Sequence, residues 1–223
     1  MRRARRRLRK RQILIVSVAG TPRPDTSNPD GGVEALAADY ARCAAWAAGA
    51  GADVVEANFS CPNVCSAEGS VYQDARLSRL LARAIRGALP STPFLIKAGY
   101  FENDAGLRRF YRAVDHLADG VVLVNGMSRR VVRSDGRPAF PGHERVAILG
   151  RAIHAGALAN VRRAVEISRQ EGLNLRTLGV GGVLDAADAG DFLKAGAAAA
   201  LIGGGAALDP HLAVRVKRAH PEW

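Results

Sequence analysis

Short apolar runs alternate with longer stretches in which apolar residues recur at helical spacing, from residue 13 to about residue 218. Residues 13–18 form a compact β-branched run ending at Gly20-Thr21-Pro22, which predicts a strand and then a loop. Residues 32–50 are Ala-rich with helical spacing, and Gly49 and Gly51 stop the pattern. The same reading predicts strands at 53–58, 93–97, 120–125, 177–180 and 198–202. Helices are expected at 73–89, 103–117, 155–171 and 186–195, with a short one from about Pro210. Pro90 ends the first of these, and Asn103 or Asp104 is placed to cap the second. Residues 126–150 read as a long connection with a turn at Ser134-Asp135-Gly136.

The strands are apolar on consecutive residues, as expected when helices cover a parallel sheet. An open doubly wound sheet and a closed barrel both fit this alternation. Asn58, Lys97, Asn125, Gly181-Gly182 and Gly203-Gly204 stand at or just after strand ends, where barrel active sites collect. No G-x-G-x-x-G opens the first helix, as a dinucleotide fold would require. The fold class expected is therefore α/β, a (β/α)8 TIM-barrel type with about six of eight units.

Charge changes this picture at one end only. The formal charge is +11, but residues 2–11 hold eight Arg or Lys and no acid, which leaves +3 for the rest. We read residues 1–12 as a basic, disordered arm and residues 13–223 as the barrel domain. The body gives no electrostatic argument for a polyanion, so no nucleic-acid partner is expected. No apolar run reaches the roughly 18–20 residues of a membrane span. Cys43, Cys61 and Cys65 have no zinc-like spacing and fit a reduced, cytoplasmic setting. The five histidines are scattered and support neither a metal site nor a His-based triad.

The densest chemistry lies in Glu56-Ala57-Asn58-Phe59-Ser60-Cys61-Pro62-Asn63-Val64. A strand ends in Asn58 and runs into a Ser-Cys-Pro-Asn loop. Two carboxamides and a thiol thus meet within a few residues. Carboxamides both donate and accept, so they suit a ring with alternating C=O and N–H groups. A partly exposed thiol can remove a proton as its thiolate. Cys43 reads as a core residue and Cys65 as a spectator.

This segment resembles the N-L-S-C-P-N-V segment of the dihydroorotate dehydrogenase family, specifically the soluble type with a cysteine base. Tyr72, nine residues after Asn63, resembles that family's active-site-loop Tyr. Residues 94–97 resemble a strand ending in a flavin-contacting Lys, and residues 121–125 one ending in a substrate-binding Asn. Gly150 to Val161, ending Ala157-Leu158-Ala159-Asn160-Val161, resembles the family's Gly-rich turn and helix start. Residues 178–183, and Gly196-Ala197 with Gly203-Gly204, resemble its last two strands and phosphate-contacting turns.

The resemblance implies FMN-dependent oxidation of dihydroorotate, or a similar dihydropyrimidine, to orotate in pyrimidine biosynthesis. It makes Cys61 the base that takes the C5 proton while hydride leaves C6 for the flavin. It assigns Asn58, Asn63 and Asn125 to the substrate, and Asn58, Lys97, Gly150, Gly181, Gly182, Gly203 and Gly204 to FMN. It also implies a homodimer. The family's first two strands have no counterpart here: residues 13–18 align with the third, so two strand edges are expected to stay unpaired. Gly126 stands where the family has Ser or Thr, and Val146-Ala147-Ile148-Leu149 carries fewer glycines than its turn. The competing expectation is a truncated or degenerate barrel that only binds flavin or phosphate ligands.

Overall fold

Why these segments become a layered sheet follows from which side of each strand is apolar. The computed structural model describes residues 2–21, 29–60, 71–143 and 145–223. Its principal elements are β1 (Ile15–Val18), α2 (Pro29–Gly49), β2 (Val54–Asn58), α3 (Ala75–Ala88), β3 (Phe94–Ala98), α4 (Asp104–Val114) and β4 (Gly120–Leu123). A hairpin of β5 (Met127–Arg129) and β6 (Val146–Ile148) follows. Then come a 3-10 turn (Gly150–Ile153), α5 (His154–Glu171), β7 (Arg176–Val180), α6 (Ala186–Lys194), β8 (Ala199–Leu201), α7 (Gly204–Leu208) and α8 (Leu212–Ala219). One helical turn, α1 (Arg2–Arg5), precedes β1, and Arg5 within the basic arm pairs with Asp53.

Six strands form one parallel sheet in the order β1-β2-β3-β4-β7-β8. This is a half-barrel clad in helices, an incomplete TIM-type barrel. Among the described residues, β1 and β8 are each paired on one side only. Cross-strand partners share a face, so the register sorts the side chains. Ala57, Ile96, Val121 and Thr177 form one row. It faces the helices, because the Thr177 hydroxyl meets the buried Tyr111 hydroxyl of α4 at 2.9 Å. Val55, Phe94, Ala98 and Leu123 share that buried side with Leu81 and Ile85 of α3 and Leu107 and Phe110 of α4. Asn58, Lys97, Val122, Leu178 and Ala199 form the opposite row, on the concave face.

Helix starts are chemically marked. Asp74 accepts from the Arg76 and Leu77 amides, Asn103 from Gly106, and Asp185 from Asp188, each satisfying amides that have no partner within the helix. The long connection expected at 126–150 is instead partly a hairpin, with Met127 opposite Ile148. Its strands are three residues long, too short for an alternating pattern. The expected turn at 134–136 is present: Gly136 donates to the Arg133 carbonyl at 3.0 Å with φ of +80°. Among the described residues no helix is long and apolar enough to cross a membrane.

Candidate functional site

Parallel strands deliver their last residues to one rim, and the rim here surrounds a cavity of about 270 Å³. Its lining includes Lys97 near the end of β3, Val124 and Asn125 after β4, Leu149 and Gly150 before α5, Gly181 and Gly182 after β7, and Gly203 and Gly204 after β8. Seven sequence-predicted residues thus converge from five separate segments of the chain. Asn58 lies beside Lys97 in register and is not part of this lining. Its side-chain oxygen accepts from the Ser60 amide at 3.1 Å. Cys61 and Asn63 lie outside the described residues.

The base of the loop that carries them is well held. The Tyr72 amide donates to the Phe59 carbonyl at 3.2 Å. Asn125 Nδ2 donates to the Ser60 carbonyl at 2.5 Å, which ties the loop to the cavity wall. Tyr72 packs over Gly99, where a Cβ would lie 2.6 Å from the phenol oxygen.

Lys97 extends its Nζ to Glu56 Oε1 at 2.8 Å. Glu56 is 4% exposed, so this carboxylate is compensated by the one cation it meets among the described residues. Sequence reasoning assigned Glu56 no role, although its place two residues before Asn58 puts both on one strand face. The glycine turns are shaped by the backbone. Gly181 and Gly182 have φ of +142° and +68°. A Cβ on Gly182 would sit 2.9 Å from the Gly150 carbonyl and 2.8 Å from His154 Cβ. Such bare turns leave backbone amides accessible to an anion.

Below the turns, Asp188 is 4% exposed. Burial raises its carboxyl, but the Leu184 amide at 2.9 Å and the Arg151 guanidinium more than offset this and hold it below the usual carboxylate range. The Arg112 and Arg108 guanidiniums lower Glu171 in the same way, burial opposing them. Because both folded values lie below the unfolded ones, their stabilisation is complete above the unfolded value, about pH 4, and is lost as the pH falls through the folded values. Urea midpoints should therefore drop on acidification below about pH 4.5, and Asp188→Asn should flatten that drop. A midpoint whose acid dependence Asp188→Asn leaves unaltered would show that this carboxyl is not a linked group.

The fold and rim define an incomplete β/α barrel whose mouth combines a lysine, a carboxamide and glycine turns. The family model of dihydroorotate dehydrogenase matches residues 3–222, and the chain belongs to that family. It is 29% identical over 210 residues to the dihydroorotate dehydrogenase of Dictyostelium discoideum, covering 92% of this chain and 54% of that one. It is 29% identical over 172 residues to the catalytic subunit of dihydroorotate dehydrogenase B (NAD(+)) from Maridesulfovibrio salexigens, covering 77% and 54%. The crystal structure of DHODH in complex with ferulenol from Eimeria tenella has the same fold, with a TM-score of 0.72 at 19% identity, covering 97% of this chain and 59% of that one. The chain spans about half the length of the curated relatives it matches.

Proposed function

We propose that this chain binds FMN at the strand rim and oxidises dihydroorotate, or a closely similar dihydropyrimidine, to orotate. The observation that carries the reading is the convergence of Lys97, Asn125 and the three glycine turns on one cavity. The cavity suits the group: Gly150, Gly181, Gly182, Gly203 and Gly204 line it together, and turns without side chains leave backbone amides accessible. Gly150, Gly181, Gly182, Gly203 and Gly204 hold the phosphate through backbone amides. Lys97, fixed by Glu56, sets a positive charge near the ring. Asn58, Asn63 and Asn125 orient the substrate, and Cys61 removes its C5 proton. The flavin, when bound, supplies the hydride acceptor. A homodimer and a cytoplasmic setting accompany this reading.

A binding-only barrel is the second reading, favoured by the sheet edges at β1 and β8, each paired on one side among the described residues. The absorbance spectrum of the purified chain with added FMN separates the two. Flavin absorbance that stays with the protein, and bleaches when dihydroorotate is added without air, is the expected result. Retained colour without bleaching supports the binding-only barrel. A chain that stays colourless with FMN supplied overturns both.

A further inference from the structure

The turn after β7 rests on a buried imidazole. His154, the first residue of α5, is 8% exposed. Its Nδ1 lies 2.9 Å from the Gly181 carbonyl. Its Nε2 lies 3.5 Å from Asp191 Oδ2 and 3.7 Å from Asp188 Oδ1. The ring meets Phe192 edge-on, with centroids 5.4 Å apart. A carbonyl only accepts, so Nδ1 carries a proton and donates it to Gly181. The carboxylates of Asp188 and Asp191 lie on the far side of the ring, facing Nε2. The neighbouring glycine also touches this residue, since a Cβ on Gly182 would lie 2.8 Å from His154 Cβ.

Ligand atoms of His154, Asp188 and Asp191 lie within 4.8 Å of one another, a spacing compatible with a cation. Their partners speak against one. Asp188 already accepts from the Arg151 guanidinium and from the Leu184 amide, and Nδ1 is committed to Gly181. A cation is therefore already seated on this carboxylate, and the trio reads as a clamp.

We propose that His154 is a positioning residue for a phosphate monoester: it locks the Gly181-Gly182 turn, through the Gly181 carbonyl, in the left-handed conformation that lines the cavity. The inference rests on the proposed flavin reading and names the residue that makes the site select phosphorylated flavin. Removing the donor leaves a buried carbonyl without its partner and frees the turn. On this proposal the loss falls on the phosphate and not on the rest of the flavin.

The test compares FMN with riboflavin, which lacks the phosphate, by quenching of flavin fluorescence. The wild-type chain, His154→Leu and His154→Asn are titrated with each. His154→Leu is expected to weaken FMN binding about 5- to 100-fold, with riboflavin affinity held within about 2-fold. His154→Asn, whose amide can donate from near the Nδ1 position, is expected to restore most of the FMN preference. Equal loss of both flavins in His154→Leu would overturn the positioning role and leave the flavin reading standing. A wild-type chain with no preference for FMN would overturn both. If His154→Leu does not fold, His154→Gln replaces it, because its longer side chain carries the donor past the Gly181 carbonyl. Equal FMN preference in the Asn and Gln variants would then overturn the inference.

Discussion

Gly182→Ala is expected to cost about 2–5 kcal/mol in stability and to abolish measurable FMN binding at micromolar concentrations. Two penalties add. At φ of +68° an L side chain sits in the left-handed region, which costs roughly 1–2 kcal/mol. The new methyl would also lie 2.9 Å from the Gly150 carbonyl and 3.2 Å from Arg151 Cα, and overpacking of this kind costs about 1–3 kcal/mol. Those are backbone atoms, so no rotamer change relieves the contact. Gly150 is itself part of the cavity lining, so moving it away distorts two of the three glycine turns together. Urea denaturation and FMN titration read the two effects. Gly87→Ala is the control: it lies in α3 with nothing within 4 Å of its Cβ position, so it should be neutral or stabilise by up to about 1 kcal/mol. A Gly182→Ala chain that binds FMN as the wild type does would remove the β7 turn from the phosphate site.

Cys61→Ala is expected to lower dihydroorotate turnover about 10²- to 10⁴-fold while leaving FMN bound, the range general-base catalysis supplies. The residue before it, Ser60, is tied by its carbonyl to Asn125, and Asn125 is part of the cavity wall. The thiol is not among the groups assigned to the flavin, so binding and turnover should separate. Paired measurement of FMN affinity and turnover checks this. Turnover at the wild-type rate would take Cys61 out of the reaction, and parallel loss of flavin would mean that the thiol serves structure.

Much of this arrangement was written in local pattern. Consecutive apolar residues announced each strand of the main sheet, because strands covered by helices need no polar alternation. Lys97 and Asn125 were readable as rim residues because each follows an apolar run, and parallel strands put such residues at one end. Gly181-Gly182 and Gly203-Gly204 were readable as turns because they interrupt apolar segments. The Ser-Cys-Pro-Asn loop was the specific part of the family resemblance, although its thiol and second carboxamide lie outside the described residues. The β5–β6 hairpin escaped, since strands of three residues are too short to show a period.

What the chain order alone determined is therefore the kind of layer, the strand ends that meet at the rim, and the family. Which polar groups face each other was decided only in three dimensions. Glu56 reaches Lys97 because the β2–β3 register sets residue 58 against residue 97, 39 positions away. His154 reaches the Gly181 carbonyl 27 residues on, and the carboxylates of α6, only when α5 and α6 pack beside β7. Such pairings depend on register and helix packing, and these follow from burial summed over the whole sheet, so no local stretch of sequence carries them.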